Sequence, residues 1–245
     1  MPFGAAAPVN PYASPNIGYQ TPAPQKSKAG RAGLPWEKSR RKDVKAYIDT
    51  AKLVSFEPGR AFSMMLQRGD MGGPMMFSML GLSIGAVANI VWGVPLTYIQ
   101  MTLLDAPADA IGAAVLMNLI GNVVAGAVGV VLGATLGNLI AAAILHICLL
   151  ITGGSRQTFD TSFRIVAFSQ GSLTWLQLIP VIGPVIQVFW SIGVNIVAVH
   201  KAHEVPMGRA ALVVLLPLIA CFMLLALIGV LFFSVIVAAL SQAPR

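Results

Sequence analysis

A histidine inside an apolar run, two glycines that end the run and an arginine opening the next stand close together in LHICLLITGGSRQTFDTSFRIVAFSQG, residues 145–171. Three kinds of chemistry are on offer. His146 is a side chain that relays protons or ligates metals near neutral pH. Arg164 carries a permanent fork of donors for carboxylate or phosphate. Ser155, Thr158, Ser162, Ser169 and Thr174 carry hydroxyls that an adjacent base could activate.

Each of these needs partners. A proton relay wants a carboxylate, and the apolar runs on either side contain no Asp or Glu. A zinc site wants three or four ligands; the other histidines, His200 and His203, lie at the far end of another run. His146 therefore reads as a neutral side chain hydrogen-bonded to a neighbouring helix. Arg164 reads as an anchor that snorkels to the membrane interface, meets carbonyls left open at a helix end, or pairs with Asp160 four residues earlier. The chain holds no G-x-S-x-G, H-E-x-x-H or Walker pattern. Cys148 and Cys221 both lie within apolar runs and lack C-x-x-C spacing. These residues point to no enzyme, no metal and no cofactor.

The elements that must position them are set by composition. Of 245 residues, 56% are hydrophobic and only 10% charged, with a mean hydropathy of +0.78. Soluble domains carry about 25% charge, so the expected class is an all-α integral membrane protein. The charge is also concentrated: eleven of the sixteen Lys and Arg and five of the nine acids fall within residues 26–70. A basic segment without stacking aromatics beside an apolar body suits anionic lipid, and no nucleic acid.

Residues 1–33 open with a Pro-rich, largely uncharged stretch and read as a disordered tail. Residues 34–70 read as a cytosolic basic, amphipathic segment. Within it Val44, Tyr47, Ile48 and Ala51 recur at helical spacing opposite Lys42, Lys45, Asp49 and Lys52, and Pro58 ends the helix. A second piece follows, with Phe62, Met65 and Leu66 on one side. Such helices lie in the headgroup plane over anionic lipid, here through residues 38–68, or pack on the protein's own cytosolic face.

Residues 71–241 read as the transmembrane domain. Uncharged runs cover 72–104, 111–154, 165–199 and 210–244. The positive-inside rule puts the basic N-terminal flank in the cytoplasm, the acidic DAPAD loop (105–109) outside, the loop carrying Arg156 and Arg164 inside, IPVIGPVI (179–186) outside and HKAHEVPMGR (200–209) inside. Five spans satisfy every loop: about 74–100, 111–153, 160–179, 184–202 and 209–240, with the C-terminus outside. The 111–153 run is too long for one upright span; it is either an interfacial piece plus a span or a tilted helix kinked near Gly126, Gly129 and Gly133. Gly129, Gly133 and Gly137 form a bare ridge that suits packing within the bundle or a dimerisation face, and the expected partners besides lipid are other membrane proteins or a second copy of the chain.

Several short patterns then fall in a recognisable order: LPWE (Pro35, Trp36 and Glu37), FEPGRAF (56–62), LHICLLITGG ending at Gly153 and Gly154, TFDTSFRIVAFSQG around Arg164, IPVIG with Pro180 and Gly183, Trp190, and HKAHEVPMGR from His200 to Arg209. Over about residues 34–235 the chain resembles the YIP (Ypt/Rab-interacting protein) domain family, in its bacterial style. The resemblance implies a multi-span bundle, usually of five helices, with a cytosolic N-terminus. In eukaryotic relatives it implies a part in vesicle traffic with Rab-type GTPases. The short N-terminal region and the LPWE opening depart from that eukaryotic pattern. The expected role is a non-enzymatic membrane scaffold in a bacterial cytoplasmic membrane, with a small transporter or channel as the alternative.

Overall fold

The structure, a computed structural model, describes residues 30–241, with side chains through residue 234. The expected disordered tail lies outside the described residues up to residue 29. Its last residues are already part of the fold: Arg31 donates to the Phe62 carbonyl at 2.7 Å and pairs with Glu204, and the Gly33 amide reaches the Met64 carbonyl. The described residues are helical, with no strand among them.

Three short helices come first: α1 (Pro35–Lys38), α2 (Val44–Phe56) and α3 (Pro58–Met64). Asp43 caps α2 by accepting from the Ala46 amide at 2.9 Å, and Pro58 opens α3 at the position where its missing N–H is least costly. Then follow α4 (Gly72–Leu103), α5 (Ala108–Leu132), a π-helical turn (Gly133–Gly137) and α6 (Asn138–Ile151). The long 111–153 run is thus one continuous helix, Ala108–Ile151, with a π-turn where the glycine ridge sits. Asp70 caps α4: its two carboxylate oxygens accept from the Gly72 and Gly73 amides at 3.0 and 2.9 Å, and these amides hold its carboxyl below the usual carboxylate range.

The last elements are α7 (Phe159–Leu173), a 3-10 turn (Thr174–Leu178), α8 (Ile182–Ala202) and α9 (Met207–Ser241). Five spans were expected; four helices among the described residues are long and apolar enough to cross a membrane: Gly72–Leu103, Ala108–Ile151, Ile182–Ala202 and Met207–Ser234. The difference is the 160–179 segment. Its α-helical part has 15 residues, 11 of them buried, Thr161, Ser162, Arg164, Ser169 and Ser172 included. Packed against α2, α4, α6 and α8, it runs through the middle of the bundle. A helix enclosed by protein need not be apolar all round, and its Ser, Thr and Gly content is what close helix packing in membranes uses.

Bonds at one end of the bundle tie together the segments around 67–70, 153–164 and 201–209. Thr161 donates to the Gln67 carbonyl, Gln67 to the Ala202 carbonyl, Arg156 to the Glu204 carbonyl and Arg209 to the Gly153 carbonyl. At the other limb, Trp92 donates its indole N–H to the Leu178 carbonyl at 2.9 Å. The turn joining α7 to α8 therefore stands about 30 Å along α4, and the α4–α5 hairpin extends beyond it.

Candidate functional site: the seam beneath the N-terminal helices

The amphipathic segment is docked on the bundle and completes its core. Leu34, Trp36, Val54, Ala61, Phe62 and Met65 are all fully buried, in one cluster with Phe77, Leu149, Ile165 and Phe168. Burial of one such large side chain stabilises by about 1.5–3 kcal/mol. The buried face of α2 is Ala46, Tyr47, Thr50, Ala51, Val54 and Ser55, so it is rotated from the face read off the sequence. Val44 (74% exposed) and Ile48 (42%) point outward. On this face Tyr47 and Ser55 donate to carbonyls of α7.

Glu37 is the centre of the seam. One carboxylate oxygen accepts from the Leu34 amide (2.7 Å) and the Leu66 amide (3.1 Å); the other accepts from Arg164 Nη1 at 2.6 Å. Arg164 Nη2 donates to the Asp70 carbonyl at 2.7 Å. Both side chains are enclosed, at 3% and 4% exposure. Burial raises the Glu37 carboxyl above its ordinary value, although the two amides and Arg164 all pull the other way. Arg164 is thus neither an interfacial anchor nor paired with Asp160. It lies inside the protein, where the bond to a residue 127 positions away joins α1, the α3–α4 connection and α7.

Further along the seam Tyr47 donates its hydroxyl to the Gly171 carbonyl at 2.8 Å, and burial pushes that hydroxyl up to about 12, keeping it a donor. Gly171 itself lies against α4: a Cβ there would meet Ser78 Cα at 2.9 Å, and a Cβ on Gly81 would collide with the Gly171 carbonyl. Trp190 donates to the Ser55 carbonyl at 2.9 Å and Trp175 to the Ser55 hydroxyl at 3.3 Å. Trp36 donates to the Gly73 carbonyl at 2.7 Å, and Pro35 opens α1.

His146 meets a second buried group. Its Nδ1 lies 3.0 Å from the Ser162 hydroxyl, which lies 3.1 Å from His203 Nε2. A hydroxyl has one proton to give. The arrangement that leaves no buried N–H of His203 unpaired has His203 Nε2–H donating to Ser162 and Ser162 donating to His146 Nδ1; the buried His203 Nδ1, which has no partner among the described residues, is then an acceptor. Among the described residues no carboxylate bonds to His203, and Ser162 is fully buried. His200 is turned away, with Nδ1 2.6 Å from the Val205 carbonyl. Among the described residues no three His, Cys, Asp or Glu side chains gather as metal ligands.

Burial, reinforced by neighbouring His146 and Arg31, pushes His203 down to about 4 from 6.5. Between those values the unfolded chain takes up a proton that the folded protein refuses. Folded stability is therefore whole above pH 6.5 and is lost as pH falls through that window, by on the order of 3 kcal/mol. Unfolding midpoints measured against pH in detergent should show this slope, and His203→Gln should flatten it; an unchanged slope in the variant would contradict the assignment.

The 145–171 corner takes its shape from Gly153, whose φ is +66°. The Gly154 amide reaches the Leu149 carbonyl (2.7 Å) and the Gly153 amide the Leu150 carbonyl (3.1 Å), the paired bonds of a Schellman stop. Thr158 occupies the N-cap of α7 without a side-chain cap bond. Pro180 and Gly183 shape the α7–α8 turn, where the Ile182 amide reaches the Pro180 carbonyl at 2.6 Å.

Of the sequence-selected residues, Glu37 and Arg164 meet directly. Pro35 and Trp36 border them, Trp190 holds the far end of the seam, and Gly153, Gly154 and Arg209 form the adjacent corner. Sequence reasoning missed Tyr47, Ser55, Ser162, Gly171 and His203 as contact makers. For Gly171 the usable signal was small and hydroxyl residues crowded into the uncharged 165–199 run.

A family model described as the Yip1 domain matches residues 52–228, well over half of the chain. No curated protein and no solved structure matches it. The matched range begins within α2 and takes in the whole bundle through most of α9.

Proposed function

Because the chain belongs to the Yip1-domain family, and is an integral multi-pass membrane protein, we propose that it is a non-enzymatic scaffold that organises membrane or recruits partners through its docked N-terminal helices. The observation that carries this reading is the outward face of α2. Val44, Ile48 and Phe56 (62% exposed) stand beside exposed Lys45 and Lys52, and Lys38, Arg40 and Arg41 are exposed just before. A basic face with apolar side chains between its charges suits anionic headgroups. In this reading the end bearing α1 and α3 is cytoplasmic, as its basic residues favour, in a bacterial cytoplasmic membrane with the C-terminus outside. Other membrane proteins or further copies of the chain could be held on the exposed helix faces.

The test is capture. Protein held in zwitterionic nanodiscs should float with phosphatidylglycerol vesicles and not with phosphatidylcholine vesicles. Replacing Lys38, Arg40, Arg41, Lys45 and Lys52 with Gln should abolish capture, and added salt should weaken it. Equal capture by both vesicles, or capture untouched by the replacements, would overturn the reading. A small transporter is the second reading, supported by the π-turn at Gly133–Gly137 and the broken segment at 174–182. A solute flux lost on His146→Ala would favour it instead.

A further inference from the structure

Between α6, α7, α8 and α9 lies a cavity of about 400 Å³ that takes no part in the docking seam. One wall is hydrocarbon, including Ile144, Leu145 and Val214. The other carries Ser169, Gln170, Gln187, Ser191 and Asn195. No side chain lining it is charged. The Ser169 hydroxyl is buried with no hydrogen-bond partner among the described residues. Pro217, on the facing helix, also lines the cavity and by its missing N–H leaves the Val213 carbonyl without its i+4 donor. Ala141 and Ile144 at the rim are exposed on the outer face of the bundle, which opens the cavity sideways.

We propose that this cavity binds an uncharged lipid with a hydroxyl-bearing head, of the diacylglycerol class, admitted laterally from the bilayer. The chemistry selects it in three ways. Asn, Gln and Ser side chains both donate and accept, which matches a free hydroxyl flanked by ester carbonyls. A phosphate or carboxylate would enter a low-dielectric site with no cation to meet it, a cost that excludes charged lipids. The volume is near the lower end of ligand sites, about 300–1,000 Å³, enough for a glycerol diester head while its chains lie against the apolar wall and the bilayer. A purely hydrocarbon occupant would leave the Ser169 hydroxyl unmatched, together with the donors and acceptors that Gln187, Ser191 and Asn195 keep free beyond their bonds to Gln177 and to the Val188 and Ser191 carbonyls.

Native mass spectrometry of the full chain in detergent tests this, with dioleoylglycerol, dioleoylphosphatidic acid and squalene added separately. Dioleoylglycerol should be retained as a one-to-one adduct, and the other two should not. Ala141→Phe, at an exposed rim position that leaves the core intact, fills the cavity and should weaken retention about tenfold or more; Asn195→Leu removes polarity at constant shape and should do the same. Equal retention of phosphatidic acid or squalene would overturn the proposal, as would unchanged retention in Ala141→Phe. Loss in Ala141→Phe with full retention in Asn195→Leu would also overturn it, because the cleft would then be recognising hydrocarbon alone.

Discussion

Replacing Arg164 with Met will cost about 3–5 kcal/mol of stability and loosen the N-terminal helices from the bundle, because it removes one member of a buried ion pair and strands the other. Glu37 would keep its bonds from the Leu34 and Leu66 amides but would face the interior as an unneutralised charge. The penalty should be largest at high pH and shrink as pH falls, since a protonated Glu37 needs no partner. The direction follows from a carboxyl that burial already raises and that loses one of the groups holding it down. The double variant Glu37→Gln with Arg164→Met should recover a large part of the loss, giving a coupling energy of a few kcal/mol in a double-mutant cycle. Denaturant unfolding in detergent supplies the energies. Proteolysis within residues 39–43 reports whether the segment has come away. An Arg164→Met protein as stable as the parent would mean the pair contributes nothing.

The second large effect belongs to the crossing of α4 and α7. Gly171→Ala will cost about 3 kcal/mol or more, and Gly81→Ala a similar amount, because each added methyl meets backbone that cannot rotate away. At Gly171 it would lie 2.9 Å from Ser78 Cα and 2.8 Å from the Phe77 ring, and at Gly81 it would run into the Gly171 carbonyl. Forcing the helices apart also pulls that carbonyl from the Tyr47 hydroxyl, so the damage spreads to the docking of α2. Gly121 is the control: nothing lies within 4 Å of a Cβ there. Gly121→Ala should be neutral or gain up to about 1 kcal/mol of helix propensity. Thermal unfolding of the three variants side by side separates close approach from a general intolerance of substituted glycine.

The membrane class and the corner at Gly153–Gly154 were legible in the sequence because each depends on local rules: hydropathy, and glycine after an apolar run. The role of 160–179 was not. Hydropathy registers that a segment lacks charge, and it cannot tell whether lipid or protein surrounds it. Arg164 shows the same limit. Sequence spacing offers Asp160 as a partner, whereas the fold supplies Glu37 from a four-residue helix that no periodicity detects. On α2, Val44 and Ile48 look like core and are exposed, while Thr50 and Ser55 look like surface and are buried. Ser55 donates to the Ser172 carbonyl of α7 and Thr50 accepts from the Trp36 amide of α1, so a polar side chain with a buried backbone partner reverses the usual ranking.

That the N-terminal segment is part of the bundle, rather than a helix resting on lipid, can be measured by hydrogen–deuterium exchange across residues 34–66 in nanodiscs containing only zwitterionic lipid. A docked segment keeps its amides in α2 protected to a degree comparable with α7, and loses that protection in Arg164→Met. Protection that appears only when anionic lipid is added, or that is the same with and without Arg164, would contradict docking through the Glu37–Arg164 seam.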